Sequence, residues 1–159
     1  AELVGILMED NLDRRLSWAP DGGQGDDEAL ARFQGAVRLI ELPVRADERG
    51  ELVAFDHTAW PFIPQRAFMV DQAPAGVTRG GHAHKACQQM LVCTRGRLEI
   101  RIARGEAQAR VTLDRPTQAL FLDAGVWSQQ VYLVEGSQLL VFASLPYDPQ
   151  SYLHEATAS

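Results

Sequence analysis

The sequence predicts an all-β domain, a sandwich or barrel, behind a short, partly helical N-terminal extension. Three observations carry this prediction. From Val37 onward the chain breaks into short apolar runs, and Leu98-Glu99-Ile100-Arg101-Ile102 alternates apolar and polar at period two, the repeat of a strand with one buried face. Turn formers separate these runs, as in Asp47-Glu48-Arg49-Gly50, Thr94-Arg95-Gly96-Arg97 and Arg104-Gly105-Glu106. No internal repeat or low-complexity tract interrupts the series. Many short strands joined by turns close into a sandwich or barrel.

The elements follow in order. Residues 1–36 are acidic and mixed and form the extension; 37–159 form the β domain. Leu3 to Leu16 is expected to make one or two helical turns, and Pro20 to Asp27 an exposed loop. Asp26 or Asp27 caps a short helix through Phe33, because Glu28, Ala29, Leu30 and Ala31 are good helix formers. This extension is expected to pack on the domain or to mediate dimer contacts. Strands are then expected at Val37–Leu42, Glu51–Phe55, Arg66–Asp71, Gln89–Cys93, Leu98–Ile102, Ala109–Leu113, Ala119–Leu122, Gln130–Val134 and Gln138–Ala143.

Composition bounds the function. The 159 residues suffice for one domain with a core, and 46% hydrophobic with 23% charged residues is ordinary for a globular chain. A net charge of -6 argues against nucleic acid or an anionic membrane as partner, while leaving room for a phosphorylated small molecule at a local arginine cluster. No apolar run reaches the ~20 residues of a membrane helix, and the N-terminus does not read as a secretory signal. The two cysteines, Cys87 and Cys93, form no CxxC pair. Buried free thiols and a cytoplasmic setting are the expectation.

The most informative stretch is Arg79-Gly80-Gly81-His82-Ala83-His84-Lys85. In a strand, residues two apart share a face, so both imidazoles enter one pocket. Such a pair suits metal ligation or proton transfer near neutral pH. The spacing around it fits the double-stranded β-helix, or cupin, which carries two motifs. In the first, His82 and His84 supply HxH, Gln89 stands in the acidic slot and Gly96 closes the motif. In the second, Asp123-Ala124-Gly125 is followed by Val126-Trp127-Ser128, with serine in the histidine slot. Two histidines with a neutral amide and a hydroxyl fall short of the three protein ligands of a catalytic zinc or iron site. Proton transfer is therefore the expected chemistry, with no metal.

From about Val37 to about Tyr152 the chain resembles the FdtA and WxcM-like cupin group of sugar 3,4-ketoisomerases. The matching residues are Asp47-Glu48-Arg49-Gly50-Glu51-Leu52-Val53, Pro61-Phe62, Arg66, the Arg79–Lys85 run, Gln89, Leu91-Val92-Cys93, Gly96, Val126-Trp127, Tyr147-Asp148 and Tyr152. The resemblance implies a homodimer acting on dTDP-4-keto-6-deoxyglucose without metal or redox cofactor. It implies that His82 and His84 are the acid/base groups moving the carbonyl from C4 to C3 through an enediol.

Arg66 is expected to contact the ligand, and Arg79 either the diphosphate or only its own turn. Gln89 is expected to hydrogen-bond within the pocket, and Ser128 to stand at it. Trp127 is expected either to stack on thymine or sugar or to belong to the core. Tyr147 and Tyr152 are read as packing or dimer contacts, and Lys85 as solvated. The family commonly has tyrosine in the strand after Arg66, where this chain reads Ala67-Phe68-Met69-Val70, and histidine where it has Ser128. A non-catalytic nucleotide-sugar binder and a related sugar epimerase are the alternatives.

Overall fold

A computed structural model describes residues 27–153. The expected helix at Leu3–Leu16 and most of the loop before Asp27 lie outside the described residues. The elements are α1 (Asp27–Ala31), β1 (Val37–Glu41), β2 (Val44–Asp47), β3 (Gly50–Val53), β4 (Arg66–Ala73), β5 (Thr78–His84), β6 (Gln89–Arg95), β7 (Leu98–Arg104), β8 (Ala107–Leu113), β9 (Gln118–Leu122), β10 (Trp127–Tyr132), β11 (Ser137–Ala143) and β12 (Tyr152–Leu153). Short 3₁₀ turns at His57–Ala59 and Pro149–Ser151 complete the order.

Two five-stranded sheets form, in the orders β1-β9-β6-β11-β4 and β12-β5-β10-β7-β8, with a separate β2-β3 hairpin. Every pairing is antiparallel. The sheets share one core. Leu91, Leu120, Leu139 and Val141 of the first meet Leu98, Ile100, Ile102, Val111 and Tyr132 of the second. Leu30 and Phe33 belong to the same cluster, so the segment from α1 onward packs into the domain rather than standing apart from it.

The outer face of the first sheet is covered as well. Met90, Val92, Ala119 and Phe121 lie under Leu42 and Phe62, with Phe55, Trp60 and Phe142 packed alongside. Burial on both faces explains why β6 and β9 read as continuous apolar runs instead of alternating ones.

The structure departs from the sequence-based strand assignment at three places. β10 starts at Trp127, not Gln130. Ser128 and Gln130 line an internal cavity while Trp127 packs on the opposite face, so the usual apolar-in, polar-out alternation is inverted. β2 is exposed along its whole length and has no buried face to impose a period. β12 has only two residues, too few for any period.

Candidate active site

The local chemistry of β5 aims the two histidines. Gly80 and Gly81 both have positive φ, +84° and +81°, a region that side-chain-bearing residues rarely enter. The β5–β10 ladder shifts register there: Ser128 pairs with His82 but Gln129 with Gly80, leaving Gly81 as the extra residue of a bulge. At Gly80 a Cβ would lie 2.6 Å from Oε1 of Gln130, so a side chain there would displace the Gln130 amide. Beyond the bulge His82 and His84 project to one side, their ring centroids 5.2 Å apart and the planes nearly perpendicular at 82°.

β12 supplies the third ring. Tyr152 pairs with His84 across the ladder. Its ring lies 4.5 Å from that of His82, edge to face, and 4.7 Å from that of His84. The backbone holds this arrangement from both sides. Lys85 N–H donates to Ser151 O at 2.8 Å, and Gly125 N–H donates to His84 O at 2.7 Å. Just before β12, the Asp148 carboxylate caps the 3₁₀ turn by accepting from Gln150 N–H at 2.9 Å, while Ser151 Oγ donates to Asp148 O at 2.7 Å.

Two cavities meet at this cluster. The inner one, about 310 Å³, lies between the sheets; its polar lining is His82, Arg79, Ser128, Gln130 and Tyr132, and its apolar walls include Phe68, Leu91 and Val141. The outer one, about 520 Å³, is bordered by Lys85, Cys87, Leu145, Tyr147 and Asp148. Arg66, His84, Gln89 and Tyr152 line both and form the neck between them. The combined space is amphipathic, with apolar walls and a few convergent polar groups, as small-molecule sites are.

Arg66 is held by rings. Its guanidinium lies 4.5 Å from the Phe68 centroid and 5.0 Å from that of Tyr147. Phe68 thus provides a face for the cation. Burial holds the His84 imidazole below its ordinary pKa, and the nearby Arg66 charge adds to this. Tyr132 is fully buried, and its hydroxyl has no hydrogen-bond partner among the described residues. Burial pushes its pKa up to about 12 against the opposing pull of Arg79.

The structure brings His82, His84, Arg66, Arg79, Gln89 and Ser128 to the same space. Ser128 accepts from Gln130 Nε2 at 3.1 Å. Trp127 is not brought there. It is 1% exposed, packs with Ala83 and Ala103, and lines neither cavity, because one residue along a strand reverses the face. Of its two expected roles, the core one is what the structure supports. Lys85 is exposed and borders the outer cavity.

Tyr152, read from sequence as packing or a dimer contact, packs against both imidazoles. Gln130 and Tyr132 were missed, although extending period two from Ser128 along one strand reaches both. Among the described residues no three His, Cys, Asp or Glu side chains cluster, and no helix is long and apolar enough to cross a membrane.

Comparison with known proteins places this site in a family. The model of the FdtA family, described as WxcM-like, C-terminal, matches residues 35–158. TDP-4-oxo-6-deoxy-alpha-D-glucose-3,4-oxoisomerase of Aneurinibacillus thermoaerophilus is 31% identical over 119 residues, 74% of this chain and 86% of that protein. The solved QdtA sugar 3,4-ketoisomerase of Thermoanaerobacterium thermosaccharolyticum, in complex with TDP, superposes with a TM-score of 0.73 at 30% identity, covering 76% of this chain and 89% of that one. The WlaRB TDP-quinovose 3,4-ketoisomerase of Campylobacter jejuni gives 0.72 at 28% identity, covering 76% and 94%. With the match spanning nearly all the described residues and the histidine pair in place on β5, the chain belongs to the FdtA, WxcM-like C-terminal family, whose relatives compared above are cupin-type sugar 3,4-ketoisomerases.

Proposed function

We propose that this protein is a sugar 3,4-ketoisomerase that converts a TDP-linked 4-keto-6-deoxyhexose into its 3-keto isomer in deoxysugar synthesis. The observation that carries the reading is the pair of imidazoles facing one cavity, in a chain whose relatives perform this reaction. The inner cavity takes the hexose and the outer one the nucleotide. Arg66 at the neck is placed for the negative charge of the diphosphate or of the enediolate. One imidazole removes the C3 proton and returns a proton at C4; the proton moving between the two oxygens needs a second group beside it. Two buried, unpaired cysteines agree with a cytoplasmic setting. Leu52, exposed on the outer face of the β2-β3 hairpin, offers a contact for a homodimer.

The direct test is incubation with TDP-4-keto-6-deoxyglucose in deuterated water, followed by NMR of the sugar ring. A 3-keto product carrying deuterium at C4 is expected, and its C4 configuration fixes the stereochemical class. A sugar that stays bound, unexchanged and unconverted would replace this reading with that of a binding protein.

The acid limb of kcat/KM follows from the environment of His84. Its folded-state pKa is depressed, so the imidazole stays neutral and basic below pH 6.5, the ordinary value. The sign for stability is the same. Below pH 6.5 the unfolded chain takes up the proton first, so stability falls as pH drops toward the folded-state pKa. Arg66→Gln removes the smaller of the two causes and leaves burial, so the limb is expected to move part of the way back toward 6.5. A pH–rate profile checks this; an unmoved limb would separate Arg66 from the titration.

A further inference from the structure

Isomerisation through an enediol requires two kinds of proton movement. One is between carbons, C3 to C4, and an imidazole serves it. The other is between oxygens: the C4 carbonyl oxygen gains a proton and the C3 hydroxyl loses one. β4 offers no phenol for the second task, since Phe68 is spent on the face of Arg66. The chain has three tyrosines, and the structure separates their surroundings.

Tyr132 sits beyond Ser128 and Gln130 on β10, with a hydroxyl sealed from solvent. Tyr147 is 60% exposed and stacks on Arg66 in the outer cavity. Tyr152 alone among them touches both imidazoles, and it lines both cavities, so a ligand spanning the neck meets it. Its position is fixed by the ladder to β5 and by the Ser151 carbonyl that accepts from Lys85.

Resting on the ketoisomerase reading, we infer that Tyr152 is a catalytic residue, the phenol that carries the proton between the two sugar oxygens while an imidazole carries the one between the carbons. The protons balance in two steps. In the first, the imidazole takes the hydrogen from C3, the C3–C4 double bond forms, and the Tyr152 O–H gives its proton to the C4 oxygen. This leaves a neutral enediol, an imidazolium and a phenolate, an ion pair whose members already adjoin. In the second, the phenolate takes the proton of the C3 hydroxyl, the C3 carbonyl forms, and the imidazolium, its proton exchanged with solvent, delivers one to C4. Both groups end as they began, and no co-reactant is consumed. The other imidazole fixes the phenol ring by ring contact.

Tyr152→Phe and Tyr152→Ala test this against a packing role. Phenylalanine keeps the ring against the histidines and removes only the hydroxyl. Turnover of TDP-4-keto-6-deoxyglucose is expected to fall about a hundredfold or more in the phenylalanine variant, with KM and TDP affinity within about threefold and an unchanged melting temperature. Alanine is expected to fall at least as far. If phenylalanine retains wild-type kcat while alanine loses it, Tyr152 is packing only and the inference is overturned. The two readings fail differently: an inactive wild-type protein overturns the ketoisomerase reading and with it this role, whereas an active wild type with an equally active phenylalanine variant overturns the inference alone.

Discussion

Asparagine at His82 or at His84 is expected to lower turnover of TDP-4-keto-6-deoxyglucose by at least about a hundredfold each, the usual contribution of a positioned acid/base group. The argument is one of protonation. Asparagine keeps a polar side chain of moderate size against Tyr152 but cannot accept and return a proton near neutral pH. Both histidines are half-buried cavity residues, and neither belongs to the core clusters. The substitutions should therefore leave the fold and TDP affinity nearly intact, which calorimetric titration with TDP would show. Deuterium wash-in at C3 and C4 of the bound sugar separates the pair. The histidine that serves carbon abolishes exchange, while its partner leaves slow exchange behind. Full turnover in both variants would remove the histidine pair from the chemistry.

Gly96→Ala is expected to cost about 2–5 kcal/mol of folding stability, the largest loss foreseen for one methyl group in this chain. Two terms add. Gly96 has φ +84°, where a Cβ costs about 1–2 kcal/mol. The new Cβ would also lie 2.7 Å from Ser137 Cα and 2.9 Å from Ser137 Cβ, closer still to its hydroxyl, and such overpacking costs about 1–3 kcal/mol. Ser137 has no room to yield. It is fully buried, its hydroxyl donates to Val134 O at 2.8 Å and accepts from Arg97 N–H at 3.2 Å. Urea denaturation reads the loss; a change under about 1 kcal/mol would show that the turn relaxes freely. Gly96 follows the far end of β6 from Gln89, so the fraction that stays folded is expected to keep its turnover.

Gln89 and Ser128 were found by the spacing of the two cupin motifs, and Arg66 and Arg79 by the family resemblance. The histidine pair was legible because one rule, two residues per repeat, reports a strand's faces. The same rule explains the failures. It places Trp127 opposite Ser128, so the two cannot both face the ligand, and it was not pursued to Gln130 and Tyr132. The start of β10 was hidden because its inward residues are polar, an inversion that a cavity creates and a solid core would not. Tyr152 was beyond reach for a different reason. Its neighbours His82 and His84 are far away in the chain, and the contact depends on a two-residue strand that leaves no periodic trace. The hairpin strand β2, exposed on both faces, carried no hydrophobic signal at all.

β12 has a consequence for how competence relates to stability. The longer strands are tied together by one shared core, but the ring that completes the neck is fastened by a ladder of two residues and the capped turn before it. Detaching that short ladder requires far less free energy than melting the sheets. The protein therefore has two thermometers. One registers the survival of the domain, the other the docking of its final strand, and a preparation judged intact by the first can already be partly disarmed by the second.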